Sequence, residues 1–295
     1  MSEPVVYVAS MPFSGSTLLG LLLGGHPKMV GIGEAFRLLR PDRDFLSRSG
    51  ETVCSCGKVM DECEFWRPVC EELRRRTFDS LSEKYRMVLR VFREVFGRDR
   101  VAVDTSKYLP FLRVLHEMPD IDLKVVHLVR DVRGYGLSAR KASRRSNRFS
   151  LGQLVRAHGA KAGLYYLGRT WLGLMLHWRR NSKRMNRYLE RENIPTFQLG
   201  YEELCLHADR MIPKLCEFLG AEPVPDMYSP RNSHSHDALG NASRFQSDKR
   251  AGLFYSNRWC YETEWLLPAA LLRGVMRFNA RQVYSNTHGV LWEKR

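Results

Sequence analysis

Ser14, Gly15, Ser16, Thr17 and Leu18 sit at a junction where a short β-rich run, Val5 to Ala9, hands over to a helix-forming stretch, Thr17 to Leu23. The first backbone N–H groups of a helix have no partner within it, and the helix dipole favours negative charge there. Gly15 allows the backbone to come close, and Ser16 and Thr17 add hydroxyl donors, a set suited to a phosphate. Taken alone, the same residues describe an ordinary helix N-cap. The loop also lacks the lysine of Gly-x-x-x-x-Gly-Lys, which argues against an ATPase or GTPase.

A second stretch has complementary chemistry. In His127-Leu128-Val129-Arg130-Asp131-Val132-Arg133-Gly134-Tyr135-Gly136-Leu137-Ser138, Arg130 ends a run that reads as a buried strand. The carboxyl edge of such strands is where open α/β sheets bind ligands. Ser138 follows about two helical turns later. Arg130 and Ser138 together suit a second phosphate, and separately they are a capping arginine and a solvated serine.

These residues need a scaffold. Val101 to Val103, Leu123 to Val129 and Pro195 to Leu199 read as further strands, each of the first two followed by a helical pattern, and 151–192 reads as long helix with at least one break. Strands alternating with helices predict an α/β fold, a three-layer sandwich with a central parallel sheet flanked by helices. The 295 residues are expected to form one domain. The loop-rich segments are Pro41 to Glu64 and Glu222 to Lys249.

Composition narrows the partners. Lys and Arg number 47 against 32 Asp and Glu, a net charge of +15, so the surface field draws anions such as nucleotides, acidic glycans or nucleic acid. No RNA-binding or helix-turn-helix signature accompanies the charge, and nucleic acid is not expected. No apolar run approaches the ~20 residues that cross a bilayer, and a signal peptide fits poorly, so a cytoplasmic location is expected. The basic run Arg140 to Arg148 reads as a solvated face or as a steering patch for an anionic substrate.

The loop and the Arg130 element resemble the two phosphate-binding elements of sulfotransferases that use 3′-phosphoadenosine 5′-phosphosulfate (PAPS), in the same order and the same strand contexts. The likeness extends through His26-Pro27, Gly33-Glu34, Asp104-Thr105-Ser106-Lys107, Tyr201-Glu202-Glu203-Leu204 and Phe218-Leu219-Gly220, with the carbohydrate-type and tyrosylprotein-type branches and their bacterial relatives the nearest pattern. It implies a P-loop-like fold, PAPS as donor and PAP (adenosine 3′,5′-bisphosphate) as product. The acceptor would be a hydroxyl on a carbohydrate, lipid, small molecule or peptide tyrosine. Ser14 to Leu18 would hold the 5′-phosphosulfate, and Arg130 and Ser138 the 3′-phosphate. Tyr201 would pack beside adenine, and Arg244, in His236-Asp237-Ala238-Leu239-Gly240-Asn241-Ala242-Ser243-Arg244, would close over the 3′-phosphate. Glu34 would be the catalytic base and Lys107 the cation at the transferred group.

One departure stands out. Relatives usually carry Lys or Arg immediately before the Ser-Gly of the loop, and this chain has Phe13, which cannot stabilise a leaving group; Lys107 is the best replacement, ahead of Arg37 and Arg40. Cys54, Cys56, Cys63 and Cys70 cluster, but Cys-x-Cys followed six residues later by Cys is not a usual zinc spacing, and similar Cys-x-Cys-Gly segments occur in bacterial relatives. No metal is expected. The alternatives are a P-loop-type nucleotide kinase and a non-enzymatic binder of anionic polymers.

Overall fold

The computed structural model describes residues 2–40, 44–145, 167–240 and 252–287, together with 152, 156 and 245. Five strands form one sheet: β1 (Glu3–Ser10), β2 (Met29–Gly33), β3 (Val101–Lys107), β4 (Ile121–Val129) and β5 (Thr196–Gly200). Their order is β2-β3-β1-β4-β5, with every pairing parallel. Strand β1 lies at the centre because the chain returns to one side of it with β3 and crosses to the other with β4. That reversal opens a crevice at the carboxyl ends of β1, β3 and β4, where ligands bind in sheets of this kind.

Alternation along β1 builds the two faces. Val5, Tyr7 and Ala9 enter a core with α2 (Ala35–Leu39), α3 (Trp66–Arg75), α4 (Leu81–Phe96) and α5 (Leu109–His116). Val6 and Val8 point the other way, into a core with α1 (Ser16–Leu23) and with Met211, Ile212 and Leu215 of a later helix. On the first face Phe36 stacks against both Tyr85 and Phe111 at 4.7 Å between centroids, a geometry worth about 0.5–1.5 kcal/mol per pair beyond burial. A third cluster closes the crevice end of the sheet. There α6 (Val132–Arg145), α7 (Trp171–Arg191) and the last helix pack Val129, Val132, Trp171, Trp178 and Phe278 together.

After β5 come α8 (Tyr201–Leu206), α9 (Ala208–Leu219), α10 (Leu266–Leu271) and α11 (Arg273–Val283). The four strands expected from sequence are present, and α7 begins after a break at Thr170, whose side chain accepts a hydrogen bond from the Gly173 N–H. Strand β2 escapes a sequence reading because it is Met-Val-Gly-Ile-Gly, and glycine carries no strand signal. No helix among the described residues is long and apolar enough to cross a membrane.

Candidate active site

The loop after β1 is shaped by its backbone. Gly15 is the N-cap of α1 at φ 94° with no side chain closing the helix end, and no acidic residue occupies the first turn. A Cβ at Gly15 would lie 2.5 Å from the Tyr201 ring as well as strain the backbone, so the position admits only glycine. Ser14 and Ser16 are buried, and Thr17 and Leu18 half-buried. The helix end thus presents unpaired N–H groups to the crevice. Phe13 has φ 67°, a conformation that costs a bulky residue about 1–2 kcal/mol, and it turns its carbonyl towards Arg130.

Arg130 leaves the end of β4. Its Nη1 donates to the Phe13 carbonyl at 2.8 Å and to Ser138 Oγ at 3.3 Å, so α6 brings together the pair that the sequence spaced eight residues apart. The guanidinium lies 4.7 Å over the Tyr201 ring, and its Nε is buried with no hydrogen-bond partner. Tyr201 is itself buried, with its ring against Gly15 and Arg130 and its hydroxyl donating to the Phe254 carbonyl.

The residues next to Arg130 and Tyr201 fix them from behind. Asp131 accepts two bonds from the Arg133 side chain, at 2.8 and 2.7 Å, and one from Asn279 Nδ2. Burial pushes the Asp131 carboxyl up, but these bonds and the Arg133 charge outweigh it and hold the group below its ordinary value. Asn279 also accepts from the Val132 N–H. Glu202 accepts from the Asp131 N–H, and burial, reinforced by the Asp131 charge, raises it to about 8. Glu203 accepts from the N–H groups of Gly200, Asn286 and Thr287. The carboxyl-terminal segment after α10, in which the sequence shows no motif, therefore braces the residues beside Arg130 and Tyr201.

At the other end of the crevice stand Glu34 and Lys107. Glu34 precedes α2 and Lys107 ends β3; both are buried, and Lys107 Nζ meets Glu34 Oε1 at 2.6 Å. The Asp-Thr-Ser-Lys segment aims the lysine. Asp104 accepts from the Ser106 N–H and the Tyr85 hydroxyl, Ser106 Oγ accepts from the Phe36 N–H at the start of α2, and Lys107 itself adopts φ 63°. Burial raises Asp104 to about 6. Arg37 sits 3.4 Å from Glu34 Oε2 and over the Phe45 ring, whereas Arg40 lies over Phe111. Neither reaches the Phe13 loop by any of these contacts.

Between the two ends opens a cavity of about 310 Å³, lined by Phe13, Lys107, Tyr108, Tyr135, Trp178 and Asn181 among others. His127 also lines it, and burial lowers that imidazole to about 4, so it is neutral near pH 7. Its α7 wall, including His177 and Asn181, was not singled out by any sequence motif. Glu34 does not line this cavity and faces it through Lys107. In the basic run, Arg140 is paired with Glu264 at 2.5 Å and lies over Trp171, a structural role. Residues 146–148 and Arg244 lie outside the described residues.

The sequence signature of the sulfotransferase family matches residues 4–226. The chain belongs to the sulfotransferase family. A search of curated proteins finds no match. Among solved structures, the chain is similar to the sulfotransferase domain from the Synechococcus PCC 7002 olefin synthase, at 18% identity and a TM-score of 0.55 over 94% of each chain. It is also similar to the sulfotransferase domain from the curacin biosynthetic pathway, at 18% identity and a TM-score of 0.57 over 92% of this chain and 98% of that one. Both likenesses concern the fold. Of the residues that the sequence singles out, the loop, Arg130, Ser138 and Tyr201 form one group at the carboxyl edge of the sheet, and Glu34 and Lys107 form another. The tail that braces Asp131 and Glu203 lies beyond the matched residues.

Proposed function

We propose that the chain transfers a sulfuryl group from PAPS to an acceptor hydroxyl, releasing PAP. The observation that carries this reading is Arg130: a buried guanidinium at the end of β4, bonded to Phe13 and Ser138 and lying over Tyr201, with its Nε left without a partner among the described residues. A buried charged donor without a partner is costly, and an anion supplied from outside removes that cost. The 3′-phosphate of the donor is such an anion. The unpaired N–H groups from Gly15 to Leu18 suit the 5′-phosphosulfate, about one loop away. Tyr201 would border the adenine by the edge that Arg130 leaves free, and Arg244 would add to the phosphate clamp.

In the reaction the acceptor oxygen forms a bond to sulfur while the bond from sulfur to the 5′-phosphate oxygen breaks, and the hydroxyl proton must be taken up. Glu34 is the base. Lys107, which lines the cavity, supplies the positive charge for the leaving oxygen that Phe13 cannot supply. The 2.6 Å contact joins these two roles: as Lys107 turns to the leaving group, Glu34 loses its closest partner, keeps Arg37 at 3.4 Å, and accepts the proton on the freed oxygen. The cavity behind Phe13 and Tyr108 would take the acceptor, and its mixture of aromatic rings with Asn181 and His177 suits a hydroxyl on a partly apolar body.

A kinase reading is weakened because, among the described residues, the only buried lysine near the loop comes from β3 and is already paired to Glu34. The polymer-binding reading is weakened because basic side chains of α3, its C-cap and α4 (Arg74, Arg75, Arg76, Arg86, Arg90 and Arg93) are paired with carboxylates.

The test is incubation with sulfur-labelled PAPS and a cell lysate, followed by separation of glycan, lipid and peptide fractions. Label moving into one fraction, with loss of that transfer in Glu34→Gln, supports the reading. Stabilisation by ATP or an oligonucleotide in place of PAP, with no label transferred, would overturn it.

A further inference from the structure

Away from the crevice, three thiols and an imidazole converge from two distant parts of the chain. Cys54, Cys56, Cys63 and His236 each offer a ligand atom, and the four atoms all lie within 4.8 Å of one another. Cys63 Sγ is 3.8 Å from Cys54 Sγ, 3.8 Å from Cys56 Sγ and 3.2 Å from His236 Nδ1. We propose that these four side chains hold one zinc ion in a closed, tetrahedral, structural site.

The distances favour a shared ion over a disulfide. Four ligands at zinc's ~2.3 Å sulfur and ~2.0 Å nitrogen bond lengths place their atoms about 3.5–3.8 Å apart along the edges of a tetrahedron. A disulfide needs ~2.05 Å, and all the described cysteines are free. The donor set also selects the metal: soft thiolates with an imidazole suit zinc, whereas magnesium and calcium want oxygen. With four protein ligands there is no open position, so the ion would bind no substrate.

The site is held in shape by the backbone. Val53 and Val59 form an antiparallel bridge, the Cys54 N–H donates to Lys58, and the Gly57 N–H returns to Cys54 through a turn at φ 90°. That hairpin carries Cys54 and Cys56, separated by Ser55, and its turn brings both thiols to the cluster. Cys63 follows in a turn closed by its N–H to the Val59 carbonyl, just before α3. His236 arrives from a strap laid along the edge of the sheet, where the His234 N–H donates to Gly24 and the His236 N–H to Gly31. Ser55 sews hairpin to strap, with its N–H donating to the Asp237 carbonyl and its Oγ accepting from the Asp237 N–H. Trp66 Nε1 donates to the His236 carbonyl at 2.6 Å.

Outside the cluster, His236 Nε2 faces Glu64 Oε1 at 3.3 Å. A carboxylate on the far nitrogen of a ligating imidazole is the usual outer partner in zinc sites, where it fixes the ring and its tautomer. Cys70, which the sequence groups with the other three, is buried in α3 and has no part in the cluster. The fourth ligand lies 173 residues beyond Cys63, which is why spacing alone gave no zinc pattern and led to the expectation of no metal.

The ion would matter to the active site through the strap. The Leu239 carbonyl accepts the Glu34 N–H, and a Cβ at Gly240 would stand 3.0 Å from Glu34 Oε1. Tying hairpin and strap together would therefore hold the backbone around Glu34.

The experiment is metal analysis of the full chain after reconstitution with zinc and gel filtration, alongside cobalt substitution followed by visible absorption. About one zinc per chain, and cobalt bands typical of tetrahedral thiolate ligation, are expected. Cys56→Ser, at an exposed position that folding should tolerate, and His236→Ala should lose most of the metal, while Cys70→Ser and Cys260→Ser retain it. Chelation should lower the melting temperature of the wild type and leave Cys56→Ser unmoved. A wild-type chain that takes up no zinc, metal retained in both ligand variants, or a Cys56–Cys63 disulfide on peptide mapping would overturn the proposal. None of these readouts depends on PAPS, so the site and the donor assignment fail separately.

Discussion

The two cations at the crevice are held in opposite ways. Arg130 spends its Nη1 on the Phe13 carbonyl and Ser138 and keeps a buried Nε with no partner. Lys107 is neutralised by Glu34 at 2.6 Å. The first end keeps a donor unmet among the described residues, which is what the proposed anion would satisfy. The second end is complete by itself and must come apart to act. Binding and turnover should therefore respond differently to substitution at the two ends.

The largest effect is expected at the compensated end. Lys107→Ala should lower kcat by the ~3–4 kcal/mol typical of losing a preorganised charge stabiliser, and Glu34→Gln by roughly a hundredfold with PAPS affinity nearly unchanged. Because Lys107→Ala leaves the buried Glu34 carboxylate with only its longer 3.4 Å contact to Arg37, stability should also fall. The double variant Lys107→Met/Glu34→Gln should recover melting temperature without recovering turnover. A single variant that turns over at the parental rate removes that residue from the mechanism.

At the open end the expected loss is in binding. Arg130→Ala should weaken PAP by about 2 kcal/mol, the scale of a buried charge-assisted phosphate contact, and calorimetry reads it directly. Smaller still is the partial rescue of Lys107→Ala by Phe13→Lys, which restores a cation at the position where relatives carry one. A double-mutant cycle on kcat decides it, since additive effects would mean that the two positions do not serve the same transition state.

The smallest expected effect concerns the frame behind Arg130. Glu202 keeps its proton to about pH 8 in the folded chain against an ordinary value of 4.5, so the native state binds more protons across that window and stability falls as pH rises through it. Glu202→Gln should flatten the decline by ~1 kcal/mol or more. Melting curves at pH 5.5 and 8.5 that fall equally in variant and parent would show that Glu202 is ionised throughout.

The parts of this site that sequence revealed are those encoded in short segments. The loop at Ser14 to Leu18 and the Arg130–Ser138 pair are local, because one turn or two turns of helix bring their groups together. Strand β2 was hidden by its glycines, although Glu34 follows it directly. What could not be read was contact across sequence distance: Asn279 on Asp131, Asn286 on Glu203, and His236 among the cysteines. No spacing rule links such residues, since only the packing of the tail and the strap against the sheet makes them neighbours. The Phe13 anomaly was visible as a missing cation, but its use of a carbonyl to orient Arg130 was not.

The central claim is that Arg130 awaits the 3′-phosphate of the donor. Calorimetry with PAP and with 5′-AMP, which lacks that phosphate, on the wild type and on Arg130→Ala tests it most directly. The account predicts that the wild type prefers PAP by at least tenfold and that the preference disappears in Arg130→Ala, with the affinity for 5′-AMP little changed. Equal affinity of the wild type for both nucleotides, or a preference that survives the substitution, would contradict it.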